Sequence, residues 1–297
     1  MRRRATITAV LLLALLGCDP HTTKQAVTPP PTGDLCERVR PTLPGNWITE
    51  RGEYRPAAPL SDGCTLVDPA QAAHRIRVLV SILPVTPAQA ARFRKDDEVS
   101  TAAGGYAAKV GDGGMGDGSW ELNPAAAAPW LVFRADGRQV RLTVENAGAG
   151  TMDELLSIAR TIISLAGGLP AARPTVVRSE CADGTAAAER ILGAKAVLRR
   201  DALVDNHLTC EWGSASRTVA AYEDADSATD FGLIKQAATG GLAHRVTVGT
   251  EGWQQEDGYL IFRTSSDAYV KVVSLPWDEM RPKPIVEFAR AIAPAYS

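Results

Sequence analysis

The chain lacks most of the local patterns that announce chemistry. Its four histidines stand apart from one another, no Cys-x-x-Cys spacing occurs, and neither Gly-x-Ser-x-Gly nor His-Glu-x-x-His is present. Those absences argue against a compact zinc site, a nucleophile elbow and a zincin helix. Positive charge is not in excess either: 32 Lys and Arg face 34 Asp and Glu, net −2, so there is no footprint for nucleic acid. Aromatic residues are only 6% of the 297, although six of them are Trp. The apolar run from Ala5 to Leu16 is short. As a helix it spans about 18 Å against a hydrocarbon core of about 30 Å, so a permanent membrane span is not expected.

What is present begins at that run. Arg2, Arg3 and Arg4 precede it, and it ends Leu15-Leu16-Gly17-Cys18, the order of an export signal. The ending resembles the bacterial lipobox, in which the signal is removed and the new N-terminal cysteine is diacylglyceryl-modified. Leu16 is bulkier than the small residue usual there. The expectation is a lipoprotein signal peptide over 1–17, lipidation of Cys18, and a lipid-anchored Pro/Thr tether over 18–34, extended by three consecutive prolines. Cleavage removes three Arg and no acid, taking the net charge from −2 to −5. So acidic a body has no electrostatic hold on anionic lipid, and the acyl chains must supply the anchor. The expected location is the outer face of the cytoplasmic membrane, within the cell envelope.

Five cysteines is an odd number, and lipidation of Cys18 leaves four. Cys36 and Cys64 are 28 apart, Cys181 and Cys210 are 29 apart. Four thiols allow three connectivities, and the matched spacing selects two local disulfides, Cys36–Cys64 and Cys181–Cys210. Each closes a loop worth about 3.6 kcal/mol in the chain-entropy treatment. A zinc site is the rival, but no histidine lies beside a cysteine pair.

The matched spacing points to an internal repeat. Thr86-Pro-Ala-Gln-Ala-Ala-Arg-Phe93 aligns with Asp224-Ala-Asp-Ser-Ala-Thr-Asp-Phe231, Trp120 with Trp253, Leu131-Val-Phe-Arg134 with Leu260-Ile-Phe-Arg263, and Ile158-Ala-Arg160 with Phe288-Ala-Arg290. The organisation predicted is a first α+β repeat over 35–168, a linker over 169–178 and a second α+β repeat over 179–297. Each repeat is expected to be an antiparallel sheet with helices packed on one face. Arg75 to Leu83 reads as a strand, Thr86 as the cap of a helix with Pro87 in its first turn, and Asp136-Gly137 as a hairpin turn. Thr151-Met-Asp-Glu154 is a capping box opening a helix whose Leu155, Ile158, Ala159 and Ile162 share a face. Copy two predicts strands near 216–222, 243–248, 258–264 and 268–275, and a helix from about 284.

Candidate chemistry is sparse. Gly111-x-Gly113-x-x-Gly116 matches a dinucleotide fingerprint in form, but Asp-Gly-Ser-Trp-Glu-Leu-Asn-Pro follows it and cannot open the required helix. A loop within a hairpin is expected there instead. Asp112 and Asp117 lack the alternating ligands of a calcium loop. Asp96, Asp97 and Glu98 read as a solvated charge run on a helix end. Cys210-Glu211-Trp212 sets an indole beside a bridge, either packed against it or forming the aromatic wall of a groove. On the second reading Trp212, Trp253 and Trp120 are the ligand-binding candidates. No catalytic residue, cofactor or metal is expected.

The lipobox Cys18, the Thr/Pro tether and Cys181…Cys210-Glu-Trp212 together resemble the DUF3558-type envelope lipoproteins of actinobacteria. That resemblance implies a paired-cysteine α+β domain and supplies no catalytic residues. It is clearest over 181–213; in the first repeat Cys64 is followed by Thr-Leu instead of Glu-Trp. The expected function is non-catalytic binding of an envelope protein or a small apolar ligand, with a groove between the repeats as the favoured place. The rival is a secreted or cell-wall hydrolase with a dispersed active site.

Overall fold

A computed structural model describes residues 33–297 except 51–56, 58, 104–106, 126, 147, 205, 224–225, 256–258 and 277–281. The signal segment, Cys18 and nearly all of the tether lie outside the described residues. No helix among those described is long and apolar enough to cross a membrane.

The first half runs α1 (Leu35–Val39), β1 (Ile48–Glu50), β2 (Ser61–Asp68), β3 (Gln71–Ser81), α2 (Pro87–Ala103), β4 (Gly111–Asp112), β5 (Trp120–Leu122), β6 (Trp130–Ala135), β7 (Arg138–Val144) and α3 (Met152–Ile163). The second runs α4 (Thr185–Leu192), β8 (Leu198–Arg199), β9 (Ala202–Val204), β10 (His207–Gly213), β11 (Thr218–Tyr222), α5 (Ser227–Thr239), β12 (Ala243–Val246), β13 (Glu251–Gln255), β14 (Leu260–Arg263), β15 (Tyr269–Leu275) and α6 (Pro282–Ile292). Both sheets are antiparallel. Their strand orders are β1-β2-β3-β7-β6-β5-β4 and, read in the same sense, β8-β10-β11-β15-β14-β13-β12, with β9 also on β10. The two topologies are the same, and each sheet carries its own disulfide, Cys36–Cys64 or Cys181–Cys210.

Register makes the duplication quantitative. Cys64 lies opposite Val78, Val78 opposite Leu142, and Leu142 opposite Leu131. In the second sheet the row is Cys210, Ala221, Val272 and Leu260. Trp120 faces Val132 where Trp253 faces Ile261, so the sequence landmarks occupy equivalent lattice points.

Local signals act where they were expected. Asp136 and Gly137 both take positive φ (48° and 74°) in the two-residue turn joining β6 to β7, the geometry that suits the twist of a hairpin. Thr86 Oγ1 accepts from the Gln89 N–H, and Gln89 Oε1 accepts from the Thr86 N–H, which caps α2 from both sides. Thr151 caps α3 only halfway: its hydroxyl accepts from the Glu154 N–H, but the Glu154 carboxylate turns away to His74, 2.8 Å distant. The glycine-rich stretch is the β4–β5 hairpin connection, matched in copy two by the shorter β12–β13 connection.

One correction concerns the helices. α1 and α3 cover the face that holds Cys64, Val78, Leu142 and Phe133, as α4 and α6 cover Cys210, Ala221 and Phe262. The remaining helix of each half, α2 or α5, lies on the opposite face. α2 packs Ala90 and Phe93 on Trp120, Trp130 and Val132, and α5 packs Phe231 and Ile234 on Ile261. The reason is visible in the strands: Trp130-Leu-Val-Phe133 and Leu260-Ile-Phe262 are buried throughout, so both faces need cover.

A second correction concerns the seam between the halves, which is filled. Leu60, Ile82 and Leu198 form one apolar cluster, and Gly213 lets Leu60 approach so closely that an added Cβ would stand 3.2 Å from it. Arg200 pairs with Asp62 at 3.3 Å and also donates to the Pro174 and Arg173 carbonyls, pinning the connecting segment. The cavity beside Asp62 and Arg173 holds only about 20 Å³, room for about one water molecule. Among the described residues the two halves thus meet directly at these points, and the cavity that reaches the connecting segment is too small for a ligand.

Glu211 is buried at this seam, and its carboxyl accepts a hydrogen bond from the backbone of Ala57. Burial pushes it well above the ordinary carboxylate range, and that one hydrogen bond only partly opposes the shift. The native state thus keeps a proton that the unfolded chain releases, and stability falls as pH rises above the ordinary value. Glu211→Gln is expected to abolish that slope and to stabilise the protein at pH 7.5 by about 1–3 kcal/mol. Urea unfolding at pH 5 and pH 7.5 reads both effects, and an unchanged slope in the variant contradicts the assignment.

Candidate functional site

The site grows out of strand parity. In β3, Ile76, Val78 and Val80 enter the core with Cys64, which sends Arg75 and Arg77 to the other face. In β7, Val140, Leu142 and Val144 point inward, which sends Arg141 and Thr143 outward, with Glu145 just beyond the strand. Pairing Arg77 with Thr143 and Leu79 with Arg141 sets three guanidinium-bearing residues on one two-strand patch. The end of α2 adds Asp97, Ser100 and Thr101, and the segment before β6 adds Ala127 and Ala128. Together these enclose a groove of about 620 Å³, floored by Arg75, Arg77 and Arg141 and flanked by Leu122 and Trp130.

Each arginine is held on one edge by an internal carboxylate. Glu145 accepts from Arg75 Nε at 2.7 Å through one oxygen and from Arg77 Nη2 at 2.7 Å through the other. Glu50 takes Arg75 Nη2 at 2.8 Å from the rim. Asp97 accepts from Arg141 Nη1 at 2.9 Å and from the Trp120 indole N–H at 2.6 Å. The Arg141 guanidinium also stacks on the Trp130 ring, 4.3 Å from its centroid. Burial of Glu145 disfavours its charge, but hydrogen bonds and attraction from Arg75 and Arg77 prevail and hold its carboxyl below the usual range. Arg75 is correspondingly raised, chiefly by its hydrogen bond to Glu145.

The indoles expected to bind ligand are not gathered into one site. Trp212 is wholly buried: it meets Phe288 edge-on at 5.3 Å, lies under Arg199 and donates to Thr185 Oγ1. The close approach of Gly184 seals it, since a Cβ there would come within 3.0 Å of the ring. Trp212 is thus packed in the cluster that holds its neighbouring bridge, not set in a groove wall. Trp120 is 1% exposed and touches the site only through Asp97. Trp253 is half-buried on the α5 side of the second sheet, donating to Glu251. The four bridged cysteines are all buried, and although Asp34 lies close to Cys36 and Cys64, disulfide-bonded sulfurs are no longer thiolate ligands.

One other expectation changes. Asp97 is not a solvated helix-end charge: it is the clamp on Arg141. His74 stands apart from the other histidines as expected, with Glu154 on Nε2, Asp68 3.7 Å from Nδ1 and Trp47 edge-on at 4.9 Å. No motif marks Arg75, Arg77, Arg141 or Glu145 in the sequence. Their only signal is the alternation Arg-Ile-Arg-Val and Gln-Val-Arg-Leu-Thr-Val-Glu, which sets polar groups on one face.

No family model, curated protein or solved structure matches the chain.

The lowered Glu145 pKa fixes a sign. Its contribution to stability is complete above the ordinary carboxylate value and is lost as pH falls through the lowered one. Glu145→Gln is expected to cost about 1–2 kcal/mol at pH 7, and the gap from the parent protein should shrink below about pH 4. Urea unfolding at pH 7 and pH 3 measures this. A gap of equal size at both pH values contradicts the ion-pair account.

Proposed function

We propose that the chain is a lipid-anchored envelope lipoprotein that binds a small polar ligand in the groove beneath α2, without catalysing its conversion. The observation that carries the binding reading is the state of the groove's charges. Both of its acids, Asp97 and Glu145, are spent on arginines, which leaves guanidinium donors unused on the groove lining and neither acid free as a general base. A volume of about 620 Å³ suits a compact small molecule. The arginine floor favours a small ligand with a polar group over the protein partner or small apolar ligand expected from the sequence.

Anchoring is argued from different residues. Arg2–Arg4, the apolar run and Leu-x-Gly-Cys18 support lipidation, and two buried disulfides suit an oxidising compartment outside the cytoplasm. The outer face of the cytoplasmic membrane satisfies both. The DUF3558-type resemblance is in keeping with this reading. For the hydrolase alternative, the one favourable observation is His74 held between Glu154 and Asp68. Its partners are two carboxylates and an indole, which orient an imidazole but give it no hydroxyl or thiol to activate.

The test of the anchor is Cys18→Ser in the native host followed by membrane fractionation. The parent protein should sediment with membranes and resist a high-salt wash, whereas the variant should be lost from that fraction. A variant that remains as tightly bound would disprove lipidation at Cys18.

A further inference from the structure

The groove has more specific chemistry than "polar". Its internal carboxylates use only part of each guanidinium. Among the described residues, Arg141 has Nε and Nη2 without a protein partner, and Arg75 and Arg77 each have Nη1. Arg141 Nε and Nη2 form one edge of the planar fork, the pair of donors that matches the two oxygens of a carboxylate. That edge is fixed before any ligand arrives. Asp97 grips the opposite side, the Trp120 N–H holds Asp97, and the guanidinium carbon sits over the Trp130 ring, 4.3 Å from its centroid. Preorganisation of this kind lowers the ordering cost of binding.

Charge narrows the class. Arg75, Arg77 and Arg141 against Asp97 and Glu145 leave one formal positive charge on the groove lining. Glu50 reaches Arg75 from the rim at 42% exposure, where solvent and salt screen it. A monoanion neutralises the lining. A phosphate monoester, with a charge of about −1.5 to −2, overshoots it beside two fixed carboxylates. The walls add the remaining feature, because Leu122, Ala128 and Trp130 give the space an apolar side.

The second repeat supplies an internal contrast. The residue equivalent to Arg141 is Lys271, whose ammonium sits 2.6 Å from Asp230 of α5, and the equivalent of Arg77 is Ala220. A lysine there is a point charge with no fork.

The geometry points to an organic monocarboxylate with a compact apolar body as the ligand of the first-repeat groove, its carboxylate on the Nε/Nη2 edge of Arg141. This inference rests on the groove being a ligand site, as proposed above. Its test is calorimetric titration of the purified full-length chain with phenylacetate, octanoate, phenylacetamide and phenyl phosphate. The same titrations are run on Arg141→Lys, on Arg77→Lys and, as a remote control, on Lys195→Ala. At least one of the two carboxylates should bind, with phenylacetamide and phenyl phosphate each about tenfold weaker or more. Arg141→Lys should lose about tenfold in carboxylate affinity while its near-UV circular dichroism stays that of the parent. Arg77→Lys should lose less, and Lys195→Ala should match the parent. Amide or phosphate binding as tight as carboxylate overturns the ligand class while leaving the groove a ligand site. Carboxylate affinity undiminished in a folded Arg141→Lys places the ligand elsewhere and overturns the assignment. If none of the four probes binds, the inference and the groove's role as a ligand site fall together.

Discussion

The structure depends on one constraint, the covalent tie between the segment that opens each half (α1 in the first, the 3-10 turn Ser179–Gly184 before α4 in the second) and the second strand of its sheet. Cys36 on α1 is bridged to Cys64 on β2, and because side chains alternate along a strand, an inward Cys64 fixes the parity of every strand in register with it. Val78, Leu142 and Leu131 follow it into the core. Arg77, Arg141 and Val132, each one residue away, must then face α2. A slip of one residue between β2 and β3 would drive two arginines into an apolar core, so the bridge and the burial pattern reinforce a single register.

The same constraint operates in the second half with other chemistry on the outward face. Cys210, Ala221, Val272 and Leu260 form the inward row, leaving Ala220, Lys271 and Val273 where the first half has Arg77, Arg141 and Thr143. Both halves keep an ion pair between the helix on the outward face, α2 or α5, and the sheet, Asp97 with Arg141 and Asp230 with Lys271. The acid does not sit at the aligned position, since Asp230 corresponds to Arg92 and Asp97 to Lys235 when Phe93 is matched with Phe231. One scaffold thus appears twice, and the arginine-lined site belongs to only one copy.

The legible parts of this fold were those governed by local chemistry or by matched spacing. The two bridges, the Asp136-Gly137 turn, the Thr86 and Thr151 caps and the aligned Trp120 and Trp253 all followed from short stretches of sequence. What escaped was non-local. β3 meets β7 across a separation of about sixty residues that includes a helix and three other strands, and nothing in Arg75-Ile-Arg77 names its partner. The choice between a packed and a ligand-facing Trp212 or Trp120 was open for a related reason: an indole on a strand covered on both faces is core, and cover on both faces is a tertiary property. Asp97 looked solvated because its partners, Arg141 and Trp120, come from other strands. The filled seam likewise depends on Leu60, Ile82 and Leu198 meeting across the connection.

The central claim is that the bridged face is sealed and that the opposite face of the first sheet presents arginines already set for a carboxylate. A crystal structure of the full-length chain grown with phenylacetate tests it most directly. The account predicts the carboxylate on Arg141 Nε and Nη2, with Asp97 and Glu145 still on their arginines and Trp212 still enclosed. Phenylacetate bound elsewhere, or bound in the groove with the Asp97–Arg141 pair broken, would contradict it.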